Sequence, residues 1–585
     1  MFDCLIKGGT IIDGTGKEGA TGDVAIKDGV VVEVGGRITG NSKRVLDADG
    51  ALVTPGWVDL HTHYDGQVSW DTEIAPSSHN GVTTVVMGNC GVGFAPVHSG
   101  HEKELIELME GVEDIPGSAL HEGMEWGQWE TFPEYLDYLA SREFSLDVGA
   151  QVAHGAVRYY AMGERGRLNE DANQADLAMM GDLVAEAINA GAVGFSTSRT
   201  IGHRALWGEP VPGTFAPEEE LLAIASSMGK TNKGVFEMIP AGTVGKLESL
   251  GGERTTQESE HELMRKFSLV SGRPVTFTLV QSPDYDQDLW RKILQLTEEA
   301  NDQGAKMFPQ VSSRPIGFLT GLSGYHAFMR RPTYLREIAH LSLPEKVRMM
   351  QRNDIRDALL SENDLPPDEP GSMENVSSLF NHAAPFLFPL EDPVDYEPDM
   401  NKCLGTRASD MGVSPIESLY DFLLEDGGTR FASLSGVDLP ARMEVLREML
   451  LHKDTVTGLS DAGAHVTLIC DGTMPTTQLT YWTRDRKKGE QLPIEFVVQK
   501  QSARNASLYG FDDRGTLELG KRADINVIDH DNLTVSPPVA HDDLPKGGRR
   551  LMQPVKGYVA TLCSGEVTRE NDEDTGLRPG RLVRS

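Results

Sequence analysis

Two histidines separated by one residue, His61 and His63, lie in the segment VTPGWVDLHTHYDGQ at residues 53–67. Residues i and i+2 of a strand point to the same face, so the two imidazoles can chelate one metal ion. Apolar residues such as Trp57 and Leu60 precede them and predict a buried strand that ends at the histidines. Parallel α/β proteins carry their chemistry at strand ends, and we therefore predict a metal site here. A polar turn without a metal is the alternative.

Further characteristic segments follow one another along the chain. The chain opens with DCLIKGGTIIDGTGKEGATGDVAIKDGVVVEVG and carries GVTTVVMGNCGVGFAPV from Gly81, AHGAVRYYAMG from Ala153, GAVGFSTSRT from Gly191 and TGLSDAGAHV from Thr457. It closes with ARNASLYGFDDRGTLELGKRADINVID and GYVATLCSGEVTRENDEDTGLRPGRLVR. With HTH, this ordered set covers nearly the whole chain and resembles the amidohydrolase superfamily, in particular its branch of N-acyl-D-amino-acid deacylases (D-aminoacylases). The resemblance implies a barrel enzyme that hydrolyses amides with a bound metal.

The resemblance assigns two more residues to the metal site. Asp461 in GLSDAGAH matches the catalytic aspartate, which binds metal and receives a proton from the bound water. We expect it at the end of the last barrel strand, across the mouth from the first-strand histidines; by its neighbours alone it could cap a helix. Cys90 in GNCG matches a cysteine ligand, and its small neighbours predict an exposed sulfur. A small buried apolar side chain is the alternative for Cys90.

Two positions depart from the deacylase pattern. In the deacylases the fifth and sixth strands each end in a histidine, but the corresponding segments here read GVFEMIPAG and PVTFTLVQSP. Ile239 and residues 279–281 occupy that neighbourhood, and Glu237 is either a substitute ligand or a polar core group. Three protein ligands and a water are sufficient for hydrolysis by zinc. We therefore expect one or two Zn²⁺ ions, with one favoured, bound by His61, His63, Cys90 and Asp461.

Four polar residues after other predicted strands are candidates for binding the substrate. His154 ends the third strand in VAHGAVR, and Arg199 and His203 follow the fourth in FSTSRTIGH. Arg314 follows the seventh strand and rivals Arg199, since a guanidinium group matches a carboxylate through paired hydrogen bonds. A purely structural role is the alternative for each. His465 is expected to support the metal ligands or a helix end.

The positions of these residues depend on the elements around them. Short alternating strands fill residues 1 to about 52 and return after about residue 516, whereas strand-like and helical runs alternate in between. We predict an α/β fold with a (β/α)8 TIM barrel over residues 56–505. The resemblance implies that residues 1–55 and 506–585 combine into a small discontinuous β-sandwich domain. Residues 317–430 are too long for one loop and predict an insertion near the barrel mouth, either a lid or an oligomer contact.

Composition limits the classes of partner. The 585 residues carry 54 Lys+Arg against 88 Asp+Glu, a formal net charge of -34 that disfavours nucleic acid and anionic membranes as partners. The five cysteines show no regular spacing, which suits a reducing compartment. We see neither a leader pattern nor a long apolar run, and expect a cytoplasmic protein that is a homo-oligomer, as is usual in the resembled superfamily.

Together these observations favour a metal-dependent hydrolase that cleaves the amide bond of an N-acyl amino acid, including D-configured ones, or a related linear amide. In this interpretation a metal-activated water attacks the small-molecule amide, and Asp461 transfers the proton to the leaving amine. A cyclic amide hydrolase of the dihydropyrimidinase type is the alternative within the class. The missing histidines also keep open a metal-poor relative that serves as a non-catalytic scaffold.

Overall fold

The computed structural model describes residues 1–585, apart from the side chains of Val437 and Pro440. Its strands are β1 (Phe2–Ile11), β2 (Ala20–Lys27), β3 (Val30–Val34), β4 (Ser42–Asp47), β5 (Leu52–Pro55), β6 (Trp57–Asp59), β7 (Val82–Met87), β8 (Asp147–Ala153), β9 (Gly194–Ser198), β10 (Val235–Ile239), β11 (Val275–Thr278), β12 (Met307–Val311), β13 (Ile316–Thr320), β14 (Phe388–Pro389), β15 (Ala432–Val437), β16 (Val456–Thr457), β17 (Ile525–Ile528), β18 (Thr534–Val535), β19 (Val539–Leu544), β20 (Gly548–Met552), β21 (Val555–Lys556), β22 (Tyr558–Cys563), β23 (Glu566–Glu570) and β24 (Glu573–Asp574).

The α-helices connect or cover these strands. They are α1 (Glu102–Glu113), α2 (Gly117–Gly123), α3 (Phe132–Ala140), α4 (His154–Met162), α5 (Glu164–Arg167), α6 (Gln174–Ala190), α7 (Glu218–Thr231), α8 (Gln257–Ser271), α9 (Leu289–Asp302), α10 (Pro332–Glu337), α11 (Leu343–Met350), α12 (Asn353–Ser361), α13 (Val376–Ala383), α14 (Leu404–Met411), α15 (Pro415–Leu423), α16 (Met443–Leu451), α17 (Met474–Thr480), α18 (Ile494–Gln499) and α19 (Asn505–Leu508). None of the helices among the described residues is long and apolar enough to span a bilayer.

Eight parallel strands form the barrel that the sequence predicts. Their hydrogen-bonded order is β16-β12-β11-β10-β9-β8-β7-β6, and helices such as α6, α7, α8 and α9 return the chain between them. A parallel strand covered on both faces is mostly apolar, and all seven residues of β8 are buried, the polar Asp147 and Gln151 included. The predicted (β/α)8 fold is confirmed, and the chemistry is expected at the carboxyl ends of its strands.

The barrel closes between its first and last strands, β6 and β16. A parallel bridge pairs Thr62 with Ala462, and the Ala462 carbonyl accepts the His63 N–H at 2.8 Å. Lower in the barrel, the Asn505 amide donates to the carbonyls of Val58 and Thr457 at 2.8 and 2.9 Å. We call residues 57–63 and 456–462 the seam. Because few backbone hydrogen bonds cross the seam, side chains contribute much of its closure.

Both ends of the chain build one nine-stranded sheet beside the barrel. Its order is β24-β23-β22-β17-β5-β1-β2-β3, with β4 added beside β1. Alternating apolar residues such as Ile6, Val24 and Ile525 form its buried core. The sheet accounts for the alternating pattern at both termini, while the boundaries 1–55 and 506–585 stay predictions.

Residues 316–437 contain a small antiparallel sheet of β13, β15 and β14, and the helices α10 to α15. This segment has an apolar core of its own, which includes Phe328, Phe380 and Tyr420. Leu468 and Ile469, from the loop after β16, belong to the same core. The insertion is therefore packed directly against the loop that follows Asp461, although its role as a lid or an oligomer contact stays a prediction.

Candidate active site

Four side chains converge at the seam, and we call them the donor cluster: His61, His63, Cys90 and Asp461. Ligand atoms of His61, His63 and Cys90 all lie within 4.8 Å of one another. The Cys90 Sγ is 3.3 Å from His61 Nε2 and 3.8 Å from His63 Nε2. Asp461 Oδ1 is 3.3 and 3.6 Å from the same two nitrogens. The structure thus brings together all four residues that the sequence assigns to the metal.

These separations match those of ligands around one cation. Zinc bonds of about 2.0–2.3 Å at tetrahedral angles place two ligand atoms about 3.3–3.7 Å apart. Imidazole nitrogen, thiolate sulfur and carboxylate oxygen are also the donor types that zinc accepts. The side chains present therefore fit a tetrahedral zinc-like ion, bound by residues from three different strand ends.

Backbone conformation turns the later two residues toward the histidines. Cys90 and Asp461 have left-handed φ angles of 57° and 45°, which non-glycine residues rarely adopt and which cluster at functional sites. Gly463 also has a positive φ of 94°, and a Cβ there would lie 2.8 Å from the His63 carbonyl oxygen. Asp461 is beside the first-strand histidines, not across the mouth as expected, because β16 and β6 are neighbours in the closed barrel.

Gln310, near the end of β12, fixes the orientation of His61. Its Oε1 accepts a hydrogen bond from His61 Nδ1 at 3.0 Å, so that Nε2 presents its lone pair to the donor cluster. Burial lowers the pKa of His61 to about 4, which keeps the imidazole neutral at physiological pH. A neutral imidazole is the form that binds a metal.

His63 and Asp461 form a coupled pair. Burial by itself would lower the pKa of His63, but the carboxylates of Glu113 and Asp461 raise it to about 9. Burial by itself would raise the pKa of Asp461, but its hydrogen bond to His63 and the nearby His61 hold it below its ordinary value. Asp461 is therefore an anion at neutral pH, ready to bind a cation or accept a proton.

Cys90 differs from the sequence expectation in its surroundings. The side chain is buried rather than exposed, because neighbouring residues at the barrel mouth cover the strand end on which it lies. Burial and the carboxylates of Glu113, Glu237 and Asp461 raise the pKa of its thiol well above the ordinary value. A bound cation reverses this preference, because a coordinating thiol loses its proton. Cys90 is therefore a protonated thiol when no metal is bound, and its role as a metal ligand stays a prediction.

Glu237 is close to the site but outside the donor cluster. Its Oε2 accepts the Cys90 N–H at 3.2 Å, while its Oε1 is buried without a hydrogen-bond partner among the described residues. Burial raises the pKa of Glu237 to about 8. The geometry shows it holding the Cys90 backbone, and the choice between a substitute ligand and a polar core group stays open.

Three further residues of the site escaped the sequence analysis: Asp59, Glu113 and Gln310. Asp59 accepts the Ser460 hydroxyl at 2.5 Å and so links the two sides of the seam. Asp59 precedes His61 by two residues, and the alternation that singled out the histidines could have found it. Gln310 could have been found by its place near the end of the seventh strand. Glu113 lies on a helix, and nothing in its local sequence marks it.

Three of the four candidate substrate-binding residues are bonded to other side chains of the protein. His154 is buried between Thr197 and Glu220 at 2.8 and 2.9 Å, which is a satisfied structural arrangement. The guanidinium group of Arg199 is engaged by Glu260 at 2.7 Å, and that of Arg314 by Asp471 at 2.6 Å. Neither arginine presents a free fork to a substrate carboxylate in this conformation. Their roles in substrate binding stay predictions.

His203 is the candidate whose electrostatics are tied to the donor cluster. Its Nδ1 lies 3.0 Å from the Ser198 hydroxyl, and burial lowers its pKa to about 3, with His465 and His63 adding to the shift. A half-buried neutral imidazole beside the cluster can donate or accept a hydrogen bond from a substrate. Among these four described residues, His203 is placed best for that role.

Comparison with known proteins agrees with the geometry. Residues 44–366 and 412–569 match the model of the amidohydrolase family. An uncharacterized protein of Mycobacterium tuberculosis (strain ATCC 25618 / H37Rv) is 26% identical over 94% of this chain and 88% of its own length. A D-aminoacylase of Alcaligenes xylosoxydans xylosoxydans is 31% identical, over 34% of this chain and 37% of that protein.

Solved structures show the same fold. A D-aminoacylase described as defining a novel subset of amidohydrolases superposes with a TM-score of 0.64 at 20% identity, over 100% of both chains. An N-acyl-D-glutamate deacylase from Bordetella bronchiseptica, complexed with zinc and a phosphonate inhibitor, superposes with a TM-score of 0.62 at 21% identity, again over 100% of both chains.

Proposed function

This chain belongs to the amidohydrolase family, and from that membership we propose that it hydrolyses the acyl amide of N-acyl amino acids, D-configured ones included, or of related linear amides. The enzyme is a metal-dependent hydrolase of carbon–nitrogen bonds other than peptide bonds. The observation that carries the proposal is the convergence of two imidazoles, a thiol and a carboxylate at zinc-ligand separations. The 31% identity with a D-aminoacylase over a third of the chain supports the choice of substrate.

The residues of the donor cluster have two roles, metal binding and proton transfer. His61, His63, Cys90 and Asp461 would hold the metal, and a zinc ion at such a site would supply a Lewis acid for the carbonyl and lower the pKa of water to about 7. The Asp461 carboxylate would take the proton of the attacking water through its other oxygen and deliver it to the leaving nitrogen. Its anionic state follows from the adjacent histidines. The buried position of the histidines and Cys90 limits the access of bulk water.

One zinc ion per chain is the favoured stoichiometry. The segments that in the deacylases supply two more histidines carry Ile239 and residues 279–281 here, and Glu237 is bonded to the Cys90 backbone. The donor set supports one site, because its four atoms face the same centre and water would take a fifth position. Zinc as the metal, a cytoplasmic location and a homo-oligomer remain predictions.

The experiment is metal analysis of the purified protein, paired with assays of N-acetyl-D-amino acids, their L-enantiomers and a cyclic amide such as dihydrouracil. We expect close to one equivalent of zinc, turnover of a linear N-acyl substrate, loss of turnover after chelation and recovery with one equivalent of Zn²⁺. Turnover of the cyclic amide alone would favour the dihydropyrimidinase type. Two tightly held ions, or activity that survives complete removal of metal, would contradict the proposal.

A further inference from the structure

Glu113 is a buried carboxylate that reaches the metal site from outside the barrel strands. It is the last residue of α1, a helix whose apolar residues, such as Leu108 and Met109, are buried. The helix is held tightly, since a Cβ at Gly111 would lie 2.4 Å from the backbone nitrogen of Leu206. Glu113 itself is 1% exposed. A charged side chain is rarely buried so completely without a partner.

The partner that faces one oxygen of Glu113 is a metal ligand. Glu113 Oε1 lies 3.4 Å from His63 Nδ1, the ring nitrogen on the side away from the donor cluster. Both atoms are buried, and neither forms a hydrogen bond with any described residue, each other included. Each is therefore available to the other, and when a metal occupies Nε2 a carboxylate at this position favours the imidazole that keeps its proton on Nδ1.

The other oxygen reaches the loop that carries Asp461. Glu113 Oε2 lies 3.5 Å from His465 Nε2, and the Glu113 carbonyl accepts the His465 N–H. The next residue, Asp114, accepts hydrogen bonds from the Thr467 hydroxyl at 3.0 Å and from Tyr325 at 2.6 Å. The two neighbouring carboxylates thus have separate tasks: Glu113 contacts the site, while Asp114 ties α1 to the loop and to the insertion.

We propose that Glu113 is a positioning residue for the metal site: it fixes the tautomer and orientation of His63 and, through His465, keeps the Asp461 loop in register with that ligand. The role rests on the proposed metal function of the donor cluster. A metal-bound imidazole usually donates its other N–H to a carboxylate, carbonyl or water, and loss of such a partner weakens metal binding by about 10–100-fold. Gln310 does the same for His61, so both histidines are oriented from behind.

The test measures zinc affinity directly, by competition with a chromophoric chelator on the full-length protein, and reads the ligand geometry from the visible spectrum of the Co²⁺-substituted form. Glu113→Gln keeps the shape but removes the charge, and Glu113→Asp keeps the charge but withdraws the oxygens from both histidines. We expect each variant to bind zinc about 10–100-fold more weakly than the wild type. The stoichiometry stays the same and the Co²⁺ spectrum changes.

Asp114→Asn is the matched control, because it alters the neighbouring carboxylate without touching a metal ligand. It should lower the thermal stability slightly and leave zinc affinity within about 3-fold of the wild type, a difference small beside that of a lost metal contact. Wild-type zinc affinity in both Glu113 variants would overturn the positioning role while leaving the proposed function intact. Loss of a whole equivalent of metal would make Glu113 a ligand instead. A wild-type protein that binds no zinc would overturn the proposed function itself.

Discussion

Asp461 is the residue on which binding and proton transfer meet. Asp461→Asn preserves size and shape but removes the anionic charge that its histidine neighbours maintain, together with the ability of a carboxylate to accept a proton. Positioned acid/base groups contribute about 10²–10⁴-fold to rate, so we expect kcat on any amide substrate to fall by that factor, with a smaller effect on substrate binding. Steady-state kinetics at matched zinc loading measure the change.

A control for Asp461→Asn is the same substitution at Asp410, an exposed residue of α14. This variant should match the wild type in both kcat and KM. If Asp461→Asn retained activity within a few-fold of wild type, Asp461 would act only as a turn residue, and the mechanism proposed above would be wrong.

Whether a residue of the site can be identified from the sequence depends on where it lies in the fold. His61 and His63 follow from strand alternation, and Cys90 and Asp461 from short motifs whose order is distinctive. Glu113 could not be found in this way, because its burial results from packing of α1 on the barrel mouth, a long-range contact that no local period encodes. The exposure predicted for Cys90 was wrong for the same reason.

At the scale of elements, barrel strands were the most predictable part of the chain. Runs such as VTTVVM in β7 are buried along their whole length, so their β-branched and apolar residues predict a strand whatever the details of packing. The insertion was harder to resolve. Its helices pack on a core of their own, so their patterns indicate helices but not the surface that they cover.

The last residues of the chain, 580–585, form a strap across the amino ends of the barrel strands. Val148 exchanges backbone hydrogen bonds with the strap, accepting from Val583 at 2.8 Å and donating to Arg581 at 3.1 Å. Asp147 Oδ1 accepts the Arg581 N–H at 2.8 Å, and Val583 packs against the lower barrel core. The strap therefore completes the hydrogen bonding of β8 at its otherwise open start.

Deletion of residues 580–585 should destabilise the barrel without altering its chemistry. Each buried polar group left unpaired costs about 1–3 kcal/mol, so we expect the free energy of unfolding to fall by about 2–5 kcal/mol. Urea unfolding followed by circular dichroism measures this. Arg584→Ala is the control, since its contacts with Asp137 and the Ala190 carbonyl are exposed and should contribute less than about 1 kcal/mol. Unchanged stability after the deletion would show that the strap is dispensable.

Across the whole molecule, the two ends of the barrel have different roles. The amino ends carry the strap and a buried ion-pair network, in which Arg514 and Arg522 donate to Asp147 at 2.7 and 2.9 Å. The carboxyl ends carry the donor cluster, strained backbone and the buried carboxylates Glu113 and Glu237, which have no arginine partner among the described residues. This division is typical of TIM barrels, in which stability and catalysis are assigned to opposite faces.

The seam contributes to both stability and catalysis, because the proposed metal has ligands from both sides of the seam. His61 and His63 follow β6, Asp461 follows β16, and the backbone between the two strands is bridged at Thr62 and Ala462. A cation bound as proposed would therefore cross-link the first and last strands of the barrel. Ligand binding stabilises the closed state by RT ln(1 + [L]/Kd), about 2.7 kcal/mol when free metal is at 100 times Kd.

Hydrogen exchange before and after chelation tests this cross-link. At a free zinc concentration of 100 times Kd, we expect protection factors to fall by about 100-fold on chelation for amides whose exchange requires opening of the seam, in peptides that cover residues 57–63 and 456–468. Amides of β10, on the far side of the barrel from the seam, should change little and serve as the internal control. A change in exchange on zinc removal that is equal throughout the barrel, or absent, would show that the metal does not hold the first and last strands together. Closure would then depend on the hydrogen bonds of Asp59, Ser460 and Asn505.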